Sequence, residues 1–124
     1  MVDADTVRRL AVALPEATDE SKGERIEVSV AGKHFVWSYY QRVAPKKPRV
    51  LRADVVAIRC ELPRKELLIE AAPDTFFDDD HYRGFPAVLT RLAAIEEAEL
   101  AALLAAAWRL RAPKPVLARH PGIA

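Results

Sequence analysis

The segment "FFDDDHYRGFPAVL", residues 76–89, brings together the carboxylates Asp78, Asp79 and Asp80, the imidazole of His81, the phenol of Tyr82 and the guanidinium of Arg83. Carboxylates and imidazole are the usual oxygen and nitrogen donors to divalent metals. The spacing, however, fits neither a calcium loop nor a helical histidine pair, and no second cluster completes a coordination shell. Consecutive acids followed by Gly84 and Pro86 read instead as a solvated turn, so no metal is expected here. His81, Tyr82 and Arg83 form a candidate recognition patch, because aromatic and arginine side chains dominate binding hot spots and loops carry function. The plainer alternative lays Tyr82 over a sheet edge and pairs Arg83 with a nearby acid.

A second feature is electrostatic. Net charge is only +1, yet residues 42–52 carry Arg42, Lys46, Lys47, Arg49 and Arg52 without an acid. Residues 101–124 are also basic and free of acids, whereas acids collect in 61–80 and 96–99. Local fields steer partners more than net charge does. Five cations on one loop could neutralise several phosphates, with strongly salt-dependent affinity. For that role, the acids at 78–80 should lie away from the loop. Phe35, Trp37 and Tyr39 alternate nearby and could stack bases, but such a face more commonly serves as core.

Catalytic constellations are missing. There is no GxSxG, P-loop, dinucleotide fingerprint or Cys–His pair with an orienting partner. His34, His81 and His120 are scattered, and Cys60 is alone, which rules out a disulfide framework or thiolate cluster. No catalytic residue, metal or cofactor is expected. The acidic start has no apolar run behind it, so a signal peptide is not expected. The apolar run Leu100–Trp108 is too short to span a bilayer. The expectation is a cytoplasmic protein.

The elements that must position these groups follow from periodicity. Length and a composition of 51% hydrophobic and 30% charged residues fit one globular domain. Val7, Leu10, Ala11 and Leu14 mark a first helix, capped by Asp3 or Asp5 and ended by Pro15. Ile26, Val28 and Val30 alternate, Ala31-Gly32-Lys33 turns, and Phe35, Trp37 and Tyr39 alternate again, predicting a hairpin. After a proline-containing loop, residues 55–60 predict a third strand. A helix follows from Leu62 to the stop at Pro73, with Pro63 in its first turn. Then come two short strands, around Phe76-Phe77 and over 86–95, and a long Ala-rich helix with the seam Leu100, Leu103, Leu104, Ala107 and Trp108. The tail 115–124 is proline-rich and expected to be irregular. Adjacent strands with few crossovers predict an α+β two-layer sandwich, an antiparallel sheet with helices in the order α-β-β-β-α-β-β-α.

The runs "TVRRLAVALPEAT", "ADVVAIRCELPRKELLIEAAPDTFF" and "HYRGFPAVLTRLAAIEEAELAALLAAAWRLRAPK" resemble the MmcQ/YjbR family of small bacterial proteins. The resemblance covers the chain to about Lys114, so residues 1–114 are expected to form a single domain of that type. It implies an α-β3-α-β2-α fold similar to type III secretion chaperones and a DNA-binding role through a double-wing arrangement. The leading expectation is therefore a non-enzymatic binding module that holds DNA weakly and electrostatically through Arg42, Lys46, Lys47, Arg49 and Arg52. The alternative is a protein-interaction or chaperone-like adaptor. A third class is a small enzyme or ligand-binding domain using the groove near His81.

Overall fold

The computed structural model describes residues 2–123. The Asp3 carboxylate accepts the Thr6 amide at 2.9 Å and starts helix α1 (Ala4–Val12), which buries Val7 and Ala11. Then come β1 (Ala17–Asp19), β2 (Glu27–Val30), β3 (Lys33–Arg42), β4 (Arg49–Arg59), α2 (Leu62–Ala71), β5 (Phe76–Phe77), β6 (Ala87–Arg91), a 3-10 turn over Leu92–Ala94, α3 (Glu97–Arg111) and α4 (Lys114–Arg119). The strands form one antiparallel sheet in the order β1-β2-β3-β4-β6-β5. The expected hairpin is β2–β3. Ala31 and Gly32 both have positive φ, +50° and +79°, the backbone that a two-residue hairpin turn of matching twist requires.

Two elements are additional to the sequence reading, and the strand expected over 86–95 stops at Arg91, where the 3-10 turn begins. β1 is only three residues long, too short for a period to show, and it adds an edge strand against β2. The tail expected to be irregular instead folds as α4. Pro113 occupies its N-cap and Pro115 its first turn, where no amide donor is needed, and Val116 is buried in the core. Glu16 ties this helix down: Arg119 grips its carboxylate at 2.7 and 2.9 Å, and His120 Nε2 lies 2.9 Å from it.

The main core lies between one face of the sheet and helices α1 and α3. Val28, Val30, Phe35, Val56, Ile58 and Val88 meet Val7, Leu100, Leu103, Leu104 and Trp108 there. Trp108 is fully buried, and its indole Nε1 donates to the Pro15 carbonyl at 2.8 Å, joining α3 to the end of α1.

Trp108→Ala is expected to cost about 3–5 kcal/mol, as deletion of a large aromatic from a packed core does. Urea unfolding would check this, and a loss within the surface-substitution range would place the α3 seam outside the core.

A second expectation concerns acid. The bonds from Arg119 and then His120 hold the Glu16 carboxyl at about 2, below its ordinary 4.5. Between those values the unfolded chain takes up a proton that the folded chain refuses. This contribution to stability is complete above pH 4.5 and is lost as pH falls toward 2. Glu16→Gln should therefore flatten the fall of melting temperature across that window, and an unchanged slope would sink the assignment.

Candidate functional site

The second face of the sheet exists because of one irregularity in β3. Val28 pairs with Val36 but Ser29 pairs with His34, so Phe35 is an extra residue opposite no partner. Such a bulge reverses the alternation beyond it. Phe35 and Val36 both join the helix-covered core, while Trp37 and Tyr39 turn to the opposite face with Val55, Ala57 and Leu89. The three aromatics expected on one surface are thus divided between two.

Residues 78–86 fold over that second face. Tyr82 is buried, only 8% exposed, and accepts the Trp37 indole N–H at 2.9 Å. Edge-on aromatic contacts link Tyr82 to Tyr39, His81 and Phe85, with ring centroids 6.1, 5.2 and 5.9 Å apart. Gly84, at φ +75°, allows the turn in which the Phe85 amide donates to the Tyr82 carbonyl. Each carboxylate has a structural partner. Asp78 lies 3.1 Å from the Lys65 ammonium, and Asp79 accepts the Tyr39 hydroxyl at 2.6 Å and the Tyr82 amide at 2.8 Å. Asp80 pairs with Arg83 at 2.9 Å. Burial and the bond to Asp79 push the Tyr39 phenol up to about 12, so it stays a donor. Within the expected patch, His81 and Arg83 are exposed but Tyr82 is core.

The unforeseen member is Lys65. It is 2% exposed on α2, and its ammonium donates to the carbonyls of Tyr82 at 2.7 Å and Phe85 at 3.0 Å besides facing Asp78. A buried ammonium must be paired and hydrogen-bonded, and this one directs its donors to the loop. In sequence, Lys65 sits in a charged "PRKE" that reads as a solvated helix start.

Residues 42–52, expected as a loop, are strand at both ends, at Arg42 and from Arg49 to Arg52, with only 43–48 outside the ladder. Beyond Ser38 the β3–β4 register shifts, so Tyr39 pairs with Arg52 and the ladder continues to Arg42–Arg49. Among the described residues no other strand pairs with this stretch, so it projects from the sheet as a wing. At its tip the Lys47 amide donates to the Ala44 carbonyl across Pro45 and Lys46, and Lys46 has φ +64°. That is a turn with proline second and a left-handed third residue, a place usually taken by glycine. Arg42, Lys46 and Lys47 are exposed, and no acid pairs with them or with half-exposed Arg49 among the described residues. Arg52 differs: Asp54 neutralises it through two bonds of 3.1 and 3.0 Å, and Gln41 accepts a third. The acids at 78–80 do not lie away from this surface. Asp79, Asp80 and His81 share a cavity of about 320 Å³ with Arg42 and Arg49, because Tyr39 at the wing's root anchors Asp79. Arg49 and His81 also line a neighbouring cavity with Trp37, Tyr40 and Tyr82. The two regions singled out in the sequence therefore meet at the root of the wing.

This arrangement has relatives. The sequence model of the YjbR family matches residues 12–110. The chain belongs to the YjbR family. A crystal structure of a Deinococcus radiodurans protein with a domain designated DUF419 superposes with a TM-score of 0.68 at 16% identity, covering 96% of this chain and 88% of that one. It supports the α+β fold. Uncharacterised proteins of Mycobacterium tuberculosis and Mycobacterium bovis are each 40% identical over 65 residues, 52% of this chain and 50% of theirs. The matched stretch thus spans half the length of those relatives. Among the described residues, no helix is long and apolar enough to cross a membrane.

The YjbR chain carries one donor cluster that the sequence did not reveal. Glu20, Glu27 and His34 bring a ligand atom each within 4.8 Å of one another. His34 Nε2 stands 2.7 Å from Glu20 and 3.1 Å from Glu27, whose other oxygen pairs with Arg25. Bonds from Ser29 and then His34 hold the Glu20 carboxyl below its ordinary value. With Arg25 engaged, this cluster reads as an ion-pair network across three segments of the sheet edge. Cys60 is buried at the end of β4, and burial pushes its thiol up, which leaves it a poor nucleophile.

Lys65→Met should lower stability by about 1–3 kcal/mol, because buried carbonyls lose their donor. Hydrogen exchange would localise the effect, with the Tyr82 and Phe85 amides speeding up more than those of α3. Unchanged loop protection would show that Lys65 does not hold the loop.

Proposed function

We propose that this chain is a non-enzymatic nucleic-acid-binding module whose wing contacts the phosphates of duplex DNA. The observation that carries this reading is the tip of the β3–β4 wing, where Lys46 and Lys47 stand exposed with no acid partner among the described residues, backed by Arg42 at the end of β3, which is exposed and likewise unpaired. Cations held in this way attract phosphate without first breaking an ion pair. The left-handed Lys46 adds support, since backbone strain of about 1–3 kcal/mol persists where a side chain is needed in that place. Pro45 and Pro48 stiffen the tip and reduce the ordering entropy. Arg52, neutralised by Asp54, contributes nothing to this surface, and the acids at the root weaken the contribution of Arg42 and Arg49.

Exposed Val43, Val50 and Tyr40 on the same wing favour a second reading, docking of a protein partner. Salt separates the two. Binding to duplex DNA should have micromolar or weaker affinity and fall steeply with ionic strength. Neutralising Lys46, Lys47 and Arg49 should reduce the log–log slope by about 0.9 for each phosphate that the variant no longer neutralises. Preference among duplex sequences should hardly move, because phosphate contacts position a protein without reading bases. Fluorescence anisotropy against salt measures all three. Absence of binding at low salt, or a slope unchanged in the triple variant, would replace this reading with the protein partner.

A further inference from the structure

At the opposite end of the long hairpin from the wing tip, the end of β4 and the end of α3 present Arg59 and Arg111 to one cavity of about 390 Å³, walled also by Phe85, Trp37, Glu27 and His34. Neither arginine pairs with a carboxylate among the described residues. Both are partly buried, and Arg111 Nε is shut off from solvent without a hydrogen-bond partner. Arg59 lies with its guanidinium 5.1 Å from the centroid of the Phe85 ring. Burial, followed by the charge of Arg111, makes its proton easier to lose than usual, a sign that the two cations feel each other.

Two guanidinia in one half-buried space repel each other and give up water, so a fold gains nothing by bringing them together unaided. The remedy within a chain is a carboxylate between them. The acid on this wall is Glu27, and Arg25 and His34 already occupy it. The space is left with several N–H donors and a shortage of acceptors. A guanidinium fork matches the geometry of a carboxylate or phosphate, so an oxyanion would satisfy both arginines at once. Its volume lies at the small end of the range for small-molecule sites. Phe85 is 40% exposed and stands edge-on to Trp37, with centroids 6.4 Å apart, offering a flat apolar wall beside the cations.

We propose that this cavity binds a small organic oxyanion with a planar apolar body, an aryl carboxylate or aryl phosphate, with its charged group between Arg59 and Arg111 and its ring against Phe85. Glu27 on the facing wall selects against a second anionic group at the far end of the ligand. Lys33, at the rim, adds to the attraction without fixing geometry. The site is independent of the wing, and its failure would leave the DNA reading untouched.

The test uses the full chain with benzoate, phenyl phosphate, terephthalate and inorganic phosphate, at constant ionic strength. Melting temperature and tryptophan fluorescence, to which Trp37 contributes, are followed into the tens of millimolar. Benzoate or phenyl phosphate should raise the melting temperature saturably, since a ligand of the folded state stabilises by mass action. Which of the two binds more tightly identifies the headgroup. Terephthalate should bind more weakly than benzoate. Arg111→Gln and Arg59→Gln should each weaken binding at least about tenfold, the loss of a charge-assisted bond. Their ligand-free stability should match or exceed that of the wild type, because a repulsion is removed. Arg111→Lys should recover only part of the affinity. The pair Lys46→Gln and Lys47→Gln should leave the response intact. If Arg111→Gln fails to fold, Arg59→Gln decides. No saturable response to either aryl probe, or a response unchanged in the folded arginine variants, would overturn the proposal. Equal binding of inorganic and phenyl phosphate would remove the planar-body subsite from it.

Discussion

The bulge at Phe35 is the constraint from which both sides of the sheet follow. A regular β3 would keep Phe35, Trp37 and Tyr39 on one face and leave Val36 and Ser38 on the other. With Phe35 unpaired, the helix-covered core gains Phe35 and Val36 together, and the opposite face gains Trp37 and Tyr39. That face then needs its own cover. Because α1 and α3 occupy the other side, the cover comes from residues 78–86, held by aromatic edges and by Lys65 from below. Without the bulge, the register set by Val30 and Lys33 would turn Trp37 and Tyr39 under the helices and leave the loop with nothing to pack on.

This sequence states its repetitive physics and conceals its exceptions. The α1 stripe, the β2–β3 hairpin with its Gly32 turn and the α3 seam are legible because period, cap and turn residues agree. The Phe35 bulge is not legible, since alternation persists in the letters while the backbone skips a partner. Lys65 is hidden for a similar reason. Its letter belongs to a charged helix start, and only the arrival of two carbonyls from a loop seventeen and twenty residues away turns it inward. The wing is legible as a basic segment but not as strand, because two prolines at the tip mask the ladder on either side. The tail misleads in the opposite direction: Pro113 and Pro115 signal irregular chain where they occupy the N-cap and first turn of a helix.

Near-neutral net charge conceals a sorting of charges by partner. Arg8, Arg9, Arg25, Arg52, Lys65, Arg83 and Arg119 all meet carboxylates and fasten one segment to another or to itself. Exposed pairs of this kind contribute little each, roughly 0–1 kcal/mol, but they consume the charge that would otherwise attract ligands. Two clusters stand out among the cations left over, Arg42, Lys46, Lys47 and Arg49 on the wing and Arg59 with Arg111 at the junction of β4 with α3, while others such as Lys22 and Arg91 stand apart. Asp54 makes the point locally, cancelling Arg52 at the end of the basic segment and leaving the tip unneutralised.

The two residual basic regions lie near opposite ends of β4, from Arg49 to Arg59. At about 3.3 Å per residue they are roughly 30 Å apart along the strand. The screening length at physiological salt is about 8 Å, so charge at one region is not felt at the other. Any communication between them must be mechanical. The path is continuous: Arg59 continues β4 into its pairing with Val36–Ser38, then the register break at Tyr39, then the wing. Trp37 and Tyr39 sit at that break and hold the loop that bears both His81, at the wing's root, and Phe85, under Arg59. A rigid loop would isolate the two regions, and Lys65, by fixing the Tyr82 and Phe85 carbonyls, makes it rigid. Electrostatics and packing therefore agree that the wing and the arginine cavity are physically separate surfaces on one scaffold.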